Sequence, residues 1–485
     1  MKKRVIMKRI RLTGINLVRF KNVRHGTIDL SKVSDADSVC SVLGVYGQNG
    51  SGKTALIDSL QILKHLLSQF PCYSQNDIQE WIHYINIESN SSELTWTFRI
   101  DDNNGDVQLI EYSVSLQKCE NCITTENATR THQIQFVNER ISVTATIGDE
   151  KARKTVLIDT NVDGVFKPAT RFHALVASDK KAKEDLIVAK RLARERSRSF
   201  VFSAEFVDIL AKTAVEDNRL LRNIIDRLCH YGQYELFVVK TTSTGLISLN
   251  ALPISFTYEQ PQLRSTGSIL LPLNEDSLVP QKAFDTAQIL IKHMNIVLCK
   301  LVPGLTIALK NIGSKLLSDG STGVMVQFVS LKNAQEIPLK YESEGIKKII
   351  SVLHLLIEAF NKPSTTVAID ELDSGVFEYL LGELLQIIAD HGRGQLIFTS
   401  HNLRPLETLR RNMIAFTTTN PDKRYIRFRN VKSNNNLRDF YYRDIVLGGQ
   451  VEEVYSRTNN SEISYAFMSA GELMNGESKG DGDVS

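Results

Sequence analysis

Gly47-Gln48-Asn49-Gly50-Ser51-Gly52-Lys53-Thr54 follows the pattern G-x-x-x-x-G-K-[ST]. Its glycines let the backbone close around an anion, and successive N–H groups point inward at a phosphate. The run before it, Ser41 to Tyr46, is short, apolar and β-prone, and the run after it continues as an amphipathic helix toward Leu67. Strand, glycine loop and helix together are the context this pattern needs, because the helix N-terminus adds partial positive charge at the anion. In such a loop Gly47, Asn49, Gly50, Ser51 and Gly52 form the cradle. Lys53 is expected to bridge the β- and γ-phosphates of ATP, and Thr54 to offer a hydroxyl to Mg²⁺.

A second half of the site is expected far downstream. Ser364-Thr365-Thr366-Val367-Ala368-Ile369-Asp370 is a strand-like run ending in a carboxylate, with Glu371 directly after it. Asp370 there suits the Mg²⁺ shell and Glu371 suits a base for the attacking water. An isolated Asp-Glu also fits a solvated turn. The next thirty or so residues decide between the two: Leu372-Asp373-Ser374-Gly375, a helix to about Asp390, then the apolar strand Gln395 to Thr399 with His401 just beyond its end.

Upstream of Asp370, Ser343-Glu344-Gly345 opens a strongly apolar helix through Ile349, Leu353, Leu356 and Phe360. Serine and glycine at a helix start suit a phosphate, and Ser343 equally suits an ordinary N-cap.

This order of motifs resembles the nucleotide-binding heads of the ABC superfamily. Walker A is Gly47 to Thr54, the signature is Ser343-Glu344-Gly345, Walker B ends at Asp370-Glu371, the D-loop runs Leu372 to Gly375 and the switch histidine is His401. The resemblance implies catalysis by Glu371 and His401 and metal binding by Thr54 and Asp370. It also implies an ATP held between two copies, with Ser343, Glu344, Gly345 and Asp373 of one facing the P-loop of the other. The signature matches the transporter form L-S-G-G-Q only at Ser343 and Gly345. With Ile10-Arg11-Leu12-Thr13-Gly14-Ile15-Asn16 and Thr399-Ser400-His401-Asn402, the chain looks like the SMC-like ABC ATPases. Within these it is most similar to the prokaryotic group of OLD-family heads and the ATPase subunits of phage-defence systems such as PARIS and Septu. That likeness implies a sensor or scaffold controlling a separate effector, a nuclease or toxin. The alternative from the same superfamily is a DNA-repair ATPase of the recombination-mediator or double-strand-break-repair type, acting on nucleic acid directly.

The rest of the chain fits an α/β ABC-type head, a mixed sheet with a P-loop core and flanking antiparallel β subdomain, carrying a helical insertion. At 485 residues, 42% hydrophobic and 23% charged, it can bury a large core. We expect an N-terminal lobe over 1–172, a mainly helical arm over 173–300, a C-terminal lobe over 301–450 and a polar, mobile tail over 451–485. Strands are expected over Leu94–Ile100, Ile110–Leu116, Ile134–Val137 and Ile141–Thr146. Eight basic residues between Lys180 and Arg198, interrupted by Glu184, Asp185 and Glu195, fit a solvated or partner-docking helix face, or a phosphate contact. A net charge of +3 gives no broad nucleic-acid footprint. Cys119 and Cys122 form a C-x-x-C that fits either two reduced thiols or a metal shared between chains. Gln75 and Gln79 come after the Walker A helix, and neither is marked as a Q-loop residue by its surroundings. No apolar run reaches the roughly 18–20 residues that span a bilayer, so a cytoplasmic protein with no membrane partner is expected. After His401 no TOPRIM, H-N-H or zinc-ligand cluster is evident, which leaves ATP hydrolysis as the legible chemistry.

Overall fold

The computed structural model describes residues 9–31, 41–69, 73–101, 107–121, 131–147, 150–151, 153–177, 180–212, 218–248, 251–260, 263–273, 276–316, 320, 322–332, 335–428 and 436–477. The chain opens with strands β1 (Arg9–Phe20), β2 (Val23–Asp29) and β3 (Val42–Tyr46), then helices α1 (Lys53–Leu67) and α2 (Gln75–Glu80). Strands β4 (Ser91–Asp101), β5 (Val107–Asn121), β6 (Thr131–Ile147), β7 (Glu150–Lys151) and β8 (Thr155–Asp159) come next. After them are α3 (Ala169–Val176), α4 (Lys180–Glu195), α5 (Ala204–Lys212), α6 (Arg219–Tyr234), β9 (Leu236–Val239) and α7 (Thr241–Ser248). Then come β10 (Ala251–Gln260), β11 (Leu263–Pro272), β12 (Ser277–Pro280), α8 (Gln281–Leu301), β13 (Leu305–Leu316), β14 (Thr322–Lys332) and β15 (Gln335–Pro338). The last part holds α9 (Glu344–Asn361), β16 (Thr366–Ile369), α10 (Glu378–His391), β17 (Gln395–Thr399), α11 (Pro405–Thr408), β18 (Ile414–Thr417), β19 (Tyr425–Ile426), α12 (Leu437–Leu447) and α13 (Asn460–Glu477).

The central sheet has the order β19-β18-β3-β17-β16-β9. Its strands are parallel except β19, which runs antiparallel to β18. Every residue of β3, β16, β17 and β18 is buried, as expected for parallel strands covered on both faces. A second sheet, β2-β1-β4-β5-β6-β7 with β8 on β6, is antiparallel. In β4 burial alternates residue by residue, the signature of a sheet with one packed face. This is the expected α/β class, a mixed sheet carrying the glycine loop with an antiparallel sheet at its flank. The runs Ile134–Val137 and Ile141–Thr146 are one strand, β6, with a register shift opposite Ser113/Ser115.

The segment over 173–300, expected as a mainly helical insertion or arm, holds the second half of α3, helices α4 to α7 and α8 up to its last residue, and packs on the main core. Leu186, Ala189, Phe206, Ile224 and Leu228 are buried in the main core, and a Cβ on Gly232 of α6 would lie 2.3 Å from Leu67 Cβ of α1. Helix α6 lies on the P-loop helix, α4 on β6, and α5 against α4 and α6, so each apolar stripe finds cover. The same segment supplies β9 to the central sheet and the hairpin β10–β11. A second apolar core, from Ile247 through Phe284, Met294 and Leu305 to Leu353, begins well before residue 301. Within the tail expected over 451–485, Asn460–Glu477 form α13. Cys122 lies outside the described residues. No described helix is long and apolar enough to cross a membrane.

One junction between the two sheets is the Gln395 amide. Leu12 N donates to Gln395 Oε1 at 2.9 Å, and Gln395 Nε2 donates to Leu12 O at 2.9 Å. Gln395 thereby stands in for a strand partner at the point where β1 shifts register between Leu12 and Gly14. Ile10 N adds a bond to Ser364 Oγ at 3.2 Å. Buried backbone groups left unpaired are costly. Gln395→Leu, which keeps much of the volume and removes both partners, is therefore expected to destabilise the chain by roughly 2–4 kcal/mol. Urea unfolding measures this, and an unchanged midpoint contradicts the bridging role.

Candidate functional site

The parallel strands put four chain segments on one edge. β3 ends at the glycine loop, β9 at Lys240 and Thr241, β16 at Asp370 and β17 at Ser400 and His401. In open α/β sheets the carboxyl edge is where ligands sit. An open cleft of about 770 Å³ lies there, and Asn49, Gly50, Gly52, Lys53, Thr54, Asp370, Glu371 and His401 all line it. Residues far apart in sequence meet because β17 pairs with β3 on one side and β16 on the other.

The loop's geometry depends on its glycines. Gly47 has φ +149°, and a Cβ there would fall 1.8 Å from Thr417 Oγ1. Gly52 has φ +97° and caps α1 in the left-handed region, which costs L-residues with side chains energy that glycine avoids. Ser51 Oγ bonds to Gln48 O and to Thr417 Oγ1, while Tyr425 OH donates to Gly52 O at 2.8 Å. The Asn22 side-chain amide donates to Gly50 O. Lys53 Nζ donates to Gly47 O at 2.8 Å and Gln48 O at 3.0 Å. Burial draws the Lys53 pKa down, against the pull of Asp370, Glu371 and Asp373.

On the carboxylate side two hydroxyls orient Asp370, and one of them also holds Glu371. Thr399 Oγ1 donates to Asp370 Oδ1 at 2.6 Å and accepts from Glu371 N at 2.8 Å. Thr241 Oγ1 donates to Asp370 Oδ2 at 2.7 Å, so both oxygens of the buried Asp370 are oriented. Glu371 sits at φ +49°, a conformation uncommon for a residue with a side chain and one that tertiary contacts must hold. Asp373 Oδ2 accepts from His401 N at 2.9 Å and Asn402 N at 2.8 Å, tying the D-loop to the switch segment. Its Oδ1 is buried and has no hydrogen-bond partner among the described residues.

The hard oxygen donors Thr54 and Asp370 on one cleft suit Mg²⁺, and each Asp370 oxygen retains acceptor capacity beyond its single hydroxyl bond.

A cationic group escaped the sequence reading. Asp58 of α1 is fully buried, and it receives Lys21 Nζ, Lys240 Nζ at 3.0 Å and Tyr84 OH at 3.2 Å. Two cations on one carboxylate leave excess positive charge at the cleft, where Lys21 and Lys118 also line the wall. Burial, then the Asp58 charge, pushes the Tyr84 phenol well above its ordinary range. A lone aspartate inside the apolar run Ala55 to Leu60 was the available signal. Gln75 and Gln79 lie on α2 and do not line the cleft.

Of the expected residues, Gly47 and Ser51 of the loop and Asp373 of the D-loop are not on the cleft lining, and the signature segment stands apart from it as well. Ser343, Glu344 and Gly345 do not line the cleft. Ser343 caps α9 by accepting from Ile346 N at 3.3 Å, and Ser343 and Glu344 are exposed. Gly345 touches the D-loop so closely that a Cβ would lie 2.0 Å from Gly375 O.

No protein-family model and no curated protein matches the sequence. Among solved structures, the chain is similar to the SMC head domain from Thermotoga maritima, at 14% identity over 86% of this chain and 99% of that one, TM-score 0.36. It is also similar to the recombination mediator protein RecF with ATP, at 12% identity over 87% and 100%, TM-score 0.34. A third is the Smc head domain with a coiled coil and joint from Pyrococcus yayanosii, at 11% identity over 87% and 97%, TM-score 0.36. The fold class stands on this chain's own strand order and on where the motifs fall.

Gly345→Ala must push the D-loop away from α9, and overpacking of this kind costs about 1–3 kcal/mol. A lowered urea midpoint is expected, and an unchanged one contradicts the close contact.

Proposed function

We propose that this chain is an ABC-type ATPase head that hydrolyses ATP with Mg²⁺ between two copies of itself. The observation that carries the reading is the single cleft lined by Lys53, Thr54, Asp370, Glu371 and His401, with Ser343 to Gly345 outside it. A phosphate-ready helix start that stands away from its own P-loop is suited to a P-loop supplied by another chain.

Each residue then has a task. The N–H groups of Gly47 to Thr54 hold the β-phosphate, and Lys53 exchanges its bonds to the Gly47 and Gln48 carbonyls for phosphate oxygens. Excess charge from Lys21 and Lys240 draws the polyanion in. Glu371, held by its N–H on Thr399, accepts the proton of the attacking water. His401, anchored by Asp373, meets the γ-phosphate. Mg²⁺ held by Thr54 and Asp370 would neutralise charge on the phosphate oxygens.

At the level of biological role, we assign the chain to a sensor or scaffold subunit of a prokaryotic antiviral system, controlling a separate nuclease or toxin in the cytoplasm. Support comes from Ser343-Glu344-Gly345, Ile369 to Gly375 and Thr399 to Asn402, which resemble that group. The second reading, an ATPase acting directly on DNA, draws on the basic stretch from Lys180 to Arg198. It requires ATP-dependent DNA affinity that falls steeply with salt; absence of such binding favours the sensor.

Glu371→Gln is expected to bind ATP and accumulate as a nucleotide-bound dimer with turnover reduced by at least about a hundredfold. Lys53→Ala is expected to lose both binding and dimer. Phosphate release and light scattering with and without ATP measure this. Undiminished turnover in either variant refutes the assignment.

A further inference from the structure

Asp370 is a buried carboxylate, 1% exposed, that has to present oxygen to the cleft in one orientation. Its Oδ1 is held by Thr399 at 2.6 Å and its Oδ2 by Thr241 at 2.7 Å. Thr241 belongs to none of the motifs in the sequence, and unlike Asp370 it is not on the cleft lining. It reaches the carboxylate from behind, because β9 runs parallel beside β16. Asp370 N donates to Val239 O at 2.8 Å, so the end of β9 fixes the backbone of Asp370 and, two residues later, its side chain.

The Thr241 hydroxyl is itself held from both sides. The preceding residue, Lys240, has its Nζ 3.0 Å from Asp58 Oδ1 and donates to Tyr84 OH at 2.8 Å. On the other side Thr241 opens α7, whose Ile247 is buried in the second core with Ile349 and Leu353 of α9. Branching at Cβ restricts its χ1 as well. A hydroxyl suits this place, because it donates to the carboxylate without cancelling the negative charge that attracts a cation, as a lysine would. With one such bond on each oxygen, a carboxylate of about four lone-pair sites keeps about half of them for a metal or its waters. Thr399 does not do this work alone. The χ2 torsion of aspartate is broad, so a single bond at Oδ1 leaves Oδ2 unplaced.

We propose that Thr241 is a positioning residue for Asp370, its hydroxyl setting the orientation in which the carboxylate meets Mg²⁺. This rests on the reading of Asp370 as part of an Mg²⁺–ATP site. Groups that hydrogen-bond a metal-holding carboxylate orient it, and their loss typically lowers metal affinity or activity about 10–100-fold. Thr241 acts through Asp370, so its removal should weaken the response to metal and leave the P-loop's own hold on the nucleotide intact.

The test is binding of a fluorescent, non-hydrolysable ATP analogue to the full chain, in EDTA and across an Mg²⁺ titration. Thr241→Val removes the hydroxyl at nearly constant volume, and Thr241→Ser keeps it. Thr241→Ala, which sets no methyl group against the carboxylate, takes the place of the valine variant should that one not fold. On loss of the hydroxyl, the Mg²⁺ concentration that half-saturates the metal-dependent part of binding should rise about 10–100-fold. Affinity in EDTA should be unchanged, and Thr241→Ser should stay close to wild type. An unchanged Mg²⁺ response without the hydroxyl, or a serine variant as impaired as the others, overturns the proposal. So does an equal loss of affinity in EDTA, which would make Thr241 a structural residue only. Asp370→Asn separates this inference from the reading beneath it. That variant should lose the Mg²⁺ response, and if it keeps the response, Asp370 is not a metal residue and both ideas fall. A response lost in Asp370→Asn and kept in Thr241→Val overturns the positioning role alone.

Discussion

The head depends on one placement, that of β17 between β3 and β16. Parallel pairing aligns Thr399 with Val45 and Phe398 with Ile369, so the P-loop, the Asp370-Glu371 pair and His401 emerge on the same edge within reach of one ligand. Thr399, the last residue of β17, then joins the two sides. Its hydroxyl donates a hydrogen bond to Asp370 and accepts one from the N–H of Glu371, and that second bond helps hold Glu371 in a backbone conformation it would not adopt freely. The site thus depends on strand order first and on side-chain identity second.

Much of this was legible in the sequence because each motif is local. Glycines before Lys53, an apolar run ending in Asp370, and another ending near His401 each report a strand end within a few residues of chain. Other features depend on which strands lie side by side. Thr241 reaches Asp370 only because β9 pairs with β16, and β9 is four residues long within a stretch of mainly helical pattern. Thr399 sat inside a recognised motif, yet its role appears only once β16 and β17 are neighbours. The Lys21–Asp58–Lys240 group joins a turn, a helix and a strand end, and no spacing rule links those. Helices α4 to α6 read as an arm because an amphipathic stripe says that a face is covered without saying by what. Likewise Gln395, which binds the antiparallel sheet to the core, looks in sequence like any polar strand start.

The site's asymmetry is the functional point. The P-loop, Walker B and switch residues converge, whereas the signature segment packs against the D-loop outside the cleft. Asp373 links these two regions, because the D-loop that touches Gly345 also holds the backbone of His401. On the proposed reading, a ligand bridging one copy's P-loop and another's Ser343 would bear on both elements at once and so couple nucleotide to assembly.

Complementation in mixed dimers tests this division of labour most directly. Lys53→Ala chains lack a working P-loop and Ser343→Arg chains lack a working signature, so neither should turn over ATP alone. Mixed together, they form some dimers that pair the intact P-loop of one variant with the intact signature of the other, and turnover should reappear. Full turnover by Ser343→Arg on its own, or none in the mixture, would contradict an active site shared between two copies.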